Sequence, residues 1–343
     1  MEIPVLDYQD FAKGSQAQRD TFCQRLFASL SSVGFVKIRN HTIPEEVVEE
    51  VFSWSQKFFA MPLEQKANAA HPAQANPHRG WSRVGQEKLS VITQGKAIFD
   101  LKESFDQGPQ SDTLYPNIWN QESDLPGFRA FMETFYDRCH ELHLQLLAAI
   151  ASSMSLPDQF FVDRCSQNSS ELRLNHYPAA KCSDLRDGAV MRISSHTDFG
   201  TITLLFQDST GGLEIEDQHC PGAYIPVVPP ASLDRSPAEM IVNVGDCLQR
   251  WTNDHLRSAN HRVTLPVGLK RNVAGNVVGG RGQGEPREDI VVQDRYSVAY
   301  FGKPNRDVLV GSIPALLKDD EEVRYQEDIT AWQYNQSRLL QTY

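Results

Sequence analysis

The sequence predicts an α+β protein with a mainly helical front, a series of short strands behind it and one closing helix. Two textures carry this reading. Up to about residue 170 apolar residues recur at helical spacing. From about residue 171 short apolar runs alternate with turn residues, the pattern of an antiparallel sandwich or barrel. No internal repeat is visible, and the two halves are expected to share one core. Residues 1–343 are therefore read as a single unit, with 1–170 mainly helical, 171–312 strand-rich and 313–343 carrying the last helix.

The elements follow in order. "IPVLDY" is a short apolar segment suited to an edge strand. "AQRDTFCQRLFASLSSVG" has a helical apolar stripe and stops at Gly34. "FVKI" alternates as a strand does. "PEEVVEEVFSWSQKFFAM" opens with Pro44 and acidic residues, which suit the positive end of a helix. "LPGFRAFMETFYDRCHELHLQLLAAIASSM" is a long helix. Its His140 and His143 are expected at the surface or an interface. Strands are then expected in "ELRLNHYP", "AVMRISSHTD", "ITLLFQD", "GLEIED", "YIPVVP", "MIVNVGD", "NHRVTLP" and "RYSVAYF". "EDITAWQYNQSRLLQ" is the closing helix. The Gly-rich stretch around 272–285 is expected to be a loop, free to close over a site.

Composition excludes several classes. A formal net charge of -11 argues against a nucleic-acid binder, which needs clustered Lys and Arg to neutralise phosphates. It leaves room for a locally basic pocket and an anionic small-molecule substrate. No apolar run is long enough to span a bilayer, and the first residues lack the pattern of a secretory signal. The six cysteines are scattered without a CxxC pair, which fits free thiols in a reducing, cytoplasmic setting.

"SSHTDFG" carries the chemistry. Residues two apart on a strand share a face, so His196 and Asp198 can reach one metal ion from one side. A third ligand must come from another strand. His255 lies in a loop-like segment, whereas His261 opens a strand and is better fixed, so His261 is preferred. Two histidines and one carboxylate leave open coordination positions, which suits non-haem Fe(II) and O2; zinc takes similar ligands. Arg295 and Ser297 repeat the i, i+2 spacing in "RYSVAYF" and make an anchor for a carboxylate of a dicarboxylic co-substrate. Asn175 and Tyr177, again two apart, can bond the same ligand from a neighbouring strand.

Together these motifs resemble the isopenicillin N synthase-like family of 2-oxoglutarate- and Fe(II)-dependent oxygenases. The resemblance runs from "IPVLDY" and "GFVKIRNHTIP" through "RGWSRVGQEK", "KESFDQG" and "RLNHYP". It continues in "HTDFGTITLLFQDSTGGLEI", "NVGDCLQRWTNDHLRSANHRV" and "RYSVAYFGKPN". Within the family the chain looks most like fungal thymine dioxygenases and natural-product oxygenases. The resemblance implies a double-stranded β-helix, or jelly roll, with flanking helices. It implies Fe(II) on His196, Asp198 and His261, with 2-oxoglutarate held by Arg295, Ser297, Asn175 and Tyr177, and O2 as the second co-substrate. The activity implied is oxidation of an unactivated C–H bond of a small molecule in fungal secondary metabolism, by hydroxylation, desaturation or ring rearrangement. Two alternatives stay open: an oxidase of the same fold that does not use 2-oxoglutarate, and a nucleobase hydroxylase of the thymine type.

Phe199, Phe301, Lys303, Arg79, Trp81 and Arg173 are the expected substrate walls, with Trp332 and Leu339 of the last helix over the mouth. Phe199 stands where the thymine enzymes have Tyr, and Lys303 where they have Asn. A lysine favours an anion over a nucleobase edge, so a carboxylate- or phenolate-bearing metabolite fits better than thymine. Asp246 is expected to support the barrel, and His41 to order a turn.

Overall fold

A computed structural model describes residues 3–72, 77–86, 100–186, 191–228, 239–267, 269 and 290–340. The Gly-rich stretch 272–285 lies outside the described residues.

Four principal helices pack on the strands: α1 (Gln16–Ser32), α2 (Glu45–Phe59), α3 (Phe128–Ser153) and α4 (Ala331–Leu339). Helix α1 begins at a Ser15–Gln18 capping box and buries Phe22, Leu26 and Leu30 at four-residue spacing. It ends before Gly34, whose φ of 78° a residue with a Cβ reaches only with strain. Helix α2 follows Pro44, with Glu45 and Glu46 in its first turn. Helix α4 starts at a Thr330–Gln333 capping box.

The strands are β1 (Val5–Asp7), β2 (Phe35–Arg39), β3 (Gly80–Ser82), β4 (Glu103–Gln107), β5 (Glu171–Tyr177), β6 (Ala180–Lys181) and β7 (Ile193–His196). They continue as β8 (Ile202–Gln207), β9 (Leu213–Glu216), β10 (Tyr224–Pro226), β11 (Met240–Val244), β12 (His261–Val263), β13 (Val291–Val292) and β14 (Arg295–Phe301). One sheet has eight strands in the order β1-β2-β11-β8-β14-β5-β4-β3. A second has the order β10-β9-β12-β7, and β13 pairs with β6. The order is the jelly roll that the resemblance implied, with β1 at the edge as expected.

Two apolar layers hold the sheets. Phe206, Leu204, Val242 and Tyr300 of the large sheet join Leu26, Phe58, Phe135 and Leu146 of the helices in the main core. Phe35 and Ile241 of the large sheet meet Ile215 and Val263 of the small one. The metal-ligand candidates sit at one end of this second layer, where Phe35 packs edge-on against His261 at 5.4 Å between ring centres.

One expectation needs correction, and two strands went unread in the sequence. Strands β3 and β4 lie within the mainly helical front and extend the large sheet. Strand β4 reads Glu-Ser-Phe-Asp-Gln, with no apolar alternation, yet all five residues are buried. Its charges are held by partners from elsewhere: Glu103 by Lys66 at 2.8 Å and Asp106 by Arg173 at 2.7 Å. His143 is not at the surface. It is fully buried, and burial, then His140 beside it, pushes its pKa down to about 3. The neutral ring meets the Thr201 hydroxyl through Nε2 at 2.8 Å. His140 is partly exposed and bonds the Tyr300 hydroxyl.

Candidate active site

The register of the small sheet assembles the three metal-ligand candidates. His261 of β12 lies directly opposite His196 of β7, and their ring centres are 4.3 Å apart. Asp198 follows β7 and turns its carboxylate towards both. Its Oδ1 is 3.8 Å from His196 Nε2 and 3.9 Å from His261 Nε2. The three ligand atoms all lie within 4.8 Å of one another.

Hydrogen bonds behind these atoms fix their chemical state. His196 Nδ1 meets the Ser194 carbonyl at 2.9 Å, and His261 Nδ1 meets the Ala259 carbonyl at 3.1 Å. A carbonyl only accepts, so each Nδ1 carries a proton and each Nε2 is the ring nitrogen left to face a metal. Asp198 Oδ2 accepts from Thr203 Oγ1 at 2.6 Å and Asn243 Nδ2 at 2.7 Å. Oδ1 is thereby left for a metal. Burial would raise the Asp198 carboxyl, but His261 and His196, with the Thr203 and Asn243 hydrogen bonds, hold it below the usual range. Burial, and then the neighbouring His261, pushes His196 well down, so it is neutral at ordinary pH. Two imidazoles and one carboxylate on one side of a cleft are a donor set that fits Fe(II). His255, the rejected alternative, bonds Glu321 at 3.1 Å instead.

No sequence motif singles out Thr203 or Asn243. Asn243 had a signal: it is the one polar residue in "MIVNV". Thr203→Val is expected to weaken Fe(II) binding by about 10-fold, within the range for lost partners of metal ligands. Equilibrium titration of the apo protein with Fe(II) under anaerobic conditions measures it.

The backbone around Asp198 is clamped. Its carbonyl accepts from the Asp246 N–H at 2.7 Å, and Thr201 N–H donates to the Gly302 carbonyl at 2.7 Å. Asp246 supports this corner through its carboxylate, bonded to Ser258 at 2.7 Å and Tyr334 at 2.8 Å. A Cβ on Gly200 would stand 2.1 Å from the Gly302 carbonyl oxygen. Gly200→Ala should therefore destabilise the fold by about 1–3 kcal/mol, seen as a lower Tm in thermal unfolding.

A second cluster lies where β14 runs between β5 and β8. Arg295 is opposite Tyr177, and Ser297 is opposite Asn175. Tyr177 and Asn175 each come within 3.4 Å of Ser297 Oγ. The Arg295 guanidinium lies over the Tyr177 ring at 4.8 Å and donates to Gln207 at 2.9 Å through Nη2. Its Nε and Nη1, and the Asn175 Oδ1, are buried without a partner. Buried donors on a guanidinium are costly to leave unpaired, so the cluster fits a ligand carboxylate. Arg192, which no motif marks, is fully buried and donates to the Gln293 carbonyl, two residues ahead of Arg295.

The cleft lined by His196 and Asp198 spans about 590 Å³, part of it open to solvent. Phe199, Phe301, Lys303 and Arg173 line it, and so do Glu171, His78, Asn335 and Leu339. Arg173 is also a salt-bridge residue, gripping Asp106 with Nε at 2.7 Å and Nη2 at 3.2 Å. Lys303 donates to Glu171 at 2.7 Å and to Asn335 of α4 at 3.1 Å. Burial would raise Glu171, but Lys303, then Arg79 and His78, hold its carboxyl down at about 2. Arg79 stands in the adjoining pocket, ion-paired with Asp112 and Glu171. Trp332 lines that same pocket and packs on Tyr115. Trp81 is not a wall of the cleft. It is buried in the core and donates its indole N–H to Glu103 at 2.8 Å. His41 packs edge-on against Phe206 in the core.

Residues 168–304 match the model of the 2OG-Fe(II) oxygenase superfamily. Residues 3–122 match that described as the non-haem dioxygenase in morphine synthesis N-terminal region. The chain is 63% identical to proline hydroxylase buaE of Petromyces alliaceus, over 100% of both chains. It is 51% identical to the 2-oxoglutarate-dependent dioxygenase gloF of Glarea lozoyensis, again over 100% of both. Among solved structures, a full-length Neurospora crassa protein in complex with alpha-KG and thymine superposes with a TM-score of 0.83 at 32% identity, covering 98% of this chain and 96% of that one. The chain thus belongs to the 2-oxoglutarate- and Fe(II)-dependent oxygenase superfamily, as an enzyme of the fungal natural-product group that uses Fe(II), 2-oxoglutarate and O2.

Proposed function

We propose that this enzyme hydroxylates a C–H bond of a small amino acid of the proline class. The observation that carries the reading is a cleft with both signs of charge. Glu171 and Arg173, two apart on β5, both reach it, and Lys303 stands across from Glu171. A zwitterion needs an acidic and a basic partner; a neutral nucleobase needs neither. The 63% identity to a proline hydroxylase supports the same class. An amino acid also answers the expectation of a carboxylate-bearing substrate.

In this reading His196, Asp198 and His261 hold the metal, and Arg295 and Ser297, with Asn175 and Tyr177, hold the far carboxylate of 2-oxoglutarate. Bound Fe(II), with 2-oxoglutarate and O2, supplies the oxidising power for the C–H bond. The protein supplies position. Phe199 and Phe301 present an apolar surface to the substrate ring. Arg173, steadied by Asp106, takes the substrate carboxylate, and Glu171 takes the ammonium. Asn335 and Leu339 of α4 close the mouth and keep water from the reacting carbon. Residues 1–343 act as one unit, since β1 and β2 belong to the sheet that carries Arg295 and Phe35 packs on His261.

The test is a product analysis with L-proline, ring-substituted prolines and thymine, each with 2-oxoglutarate. Hydroxylated prolines with one succinate per product are expected. Thymine oxidation at a comparable rate would favour the nucleobase reading. Product without succinate would favour an oxidase.

A further inference from the structure

We propose that Arg192 is a second guanidinium for the far carboxylate of 2-oxoglutarate, placed beside Arg295. Arg192 lies immediately before β7 and is fully buried. Its Nη2 donates to the Gln293 carbonyl, which ties it to the chain two residues ahead of Arg295.

Both residues keep unused donors. Arg192 Nε and Nη1, and Arg295 Nε and Nη1, are all buried without a partner. Neither guanidinium forms an ion pair among the described residues: Arg192 has a backbone carbonyl and Arg295 a neutral amide. Burial, and then the charge of Arg295, pulls Arg192 down to about 10, which still leaves it charged at neutral pH. Two adjacent buried cations repel, and each is costly without a counter-ion. A carboxylate has acceptor sites on both oxygens, enough for donors from two sides. The Ser297 and Tyr177 hydroxyls mark where such an anion lies. A single fork on Arg295 would suffice for a simple anchor. The second makes the pocket select a dicarboxylic 2-oxo acid more strongly.

This inference rests on the reading of Arg295 and Ser297 as the co-substrate anchor, and the experiment separates the two. Binding of 2-oxoglutarate is measured by calorimetry on the anaerobic Fe(II) protein, for wild type, Arg192→Met and Arg295→Met. Thermal unfolding is recorded with and without 2-oxoglutarate. Arg192→Met is expected to bind 2-oxoglutarate about 10–100-fold more weakly, the loss of one charge-assisted contact. Its Tm without 2-oxoglutarate should be equal to or above wild type, because an unbalanced buried charge is gone. The rise in Tm on adding 2-oxoglutarate should shrink. Unchanged affinity in Arg192→Met with weakened binding in Arg295→Met would overturn the role of Arg192 alone. Unchanged affinity in both would overturn the anchor. Should Arg192→Met not fold, Arg192→Gln carries the same expectation. Failure of both to fold would assign Arg192 to the structure, against the proposal.

Discussion

Asp198→Asn is expected to lose nearly all turnover and to bind Fe(II) more weakly than variants of the surrounding groups, whose cost is about 10–100-fold. The reason lies in how fully the carboxylate is used. Oδ2 accepts from Thr203 and Asn243, and Oδ1 faces the two Nε2 atoms. An amide has one acceptor oxygen and one NH2 group. If its oxygen faces the metal, its NH2 meets the Asn243 NH2, donor against donor. If it is flipped, the NH2 faces the metal. Both orientations lose a ligand or a support, and the negative charge is gone as well. Fe(II) titration and succinate production measure the two effects. Near-normal activity with firmly bound iron would mean that another group completes the site.

Arg295→Met ranks second. The guanidinium is 1% exposed and sits on β14 between β5 and β8, so no solvent cation can replace it. A charge-assisted bidentate contact in such a setting is worth about 3 kcal/mol, or about 100-fold. The KM for 2-oxoglutarate should rise by about that factor. The KM for the amino-acid substrate should move little, because its proposed contacts Glu171 and Arg173 lie towards the opposite end of β5 from Tyr177, which faces Arg295. A rise in the substrate KM alone would place the substrate carboxylate on Arg295, as in the oxidase reading.

The site was legible where strand periodicity did the work. His196 with Asp198, and Arg295 with Ser297, each put two functional side chains on one face of an extended chain. Choosing His261 over His255 needed only the difference between a strand start and a loop. What stayed hidden depends on partners distant in sequence. Strand β4 looks like a polar loop until Lys66 and Arg173 neutralise it. His143 looks like a polar residue on a helix until it is seen buried with its Nε2 against the Thr201 hydroxyl. Thr203 and Arg192 acquire meaning only from the hydrogen bonds that tie Thr203 to Asp198 and Arg192 to the Gln293 carbonyl just ahead of β14. Trp81 reads as a wall because its motif adjoins Arg79, but its strand turns it into the core.

The measurement that bears most directly on the site is an anaerobic visible spectrum of the Fe(II) protein before and after 2-oxoglutarate is added. A new metal-to-ligand charge-transfer band in the wild type, absent from His261→Ala, is expected if the 2-oxo acid chelates iron held by His196, Asp198 and His261. Bound iron with no band, or an undiminished band in His261→Ala, would contradict that assignment.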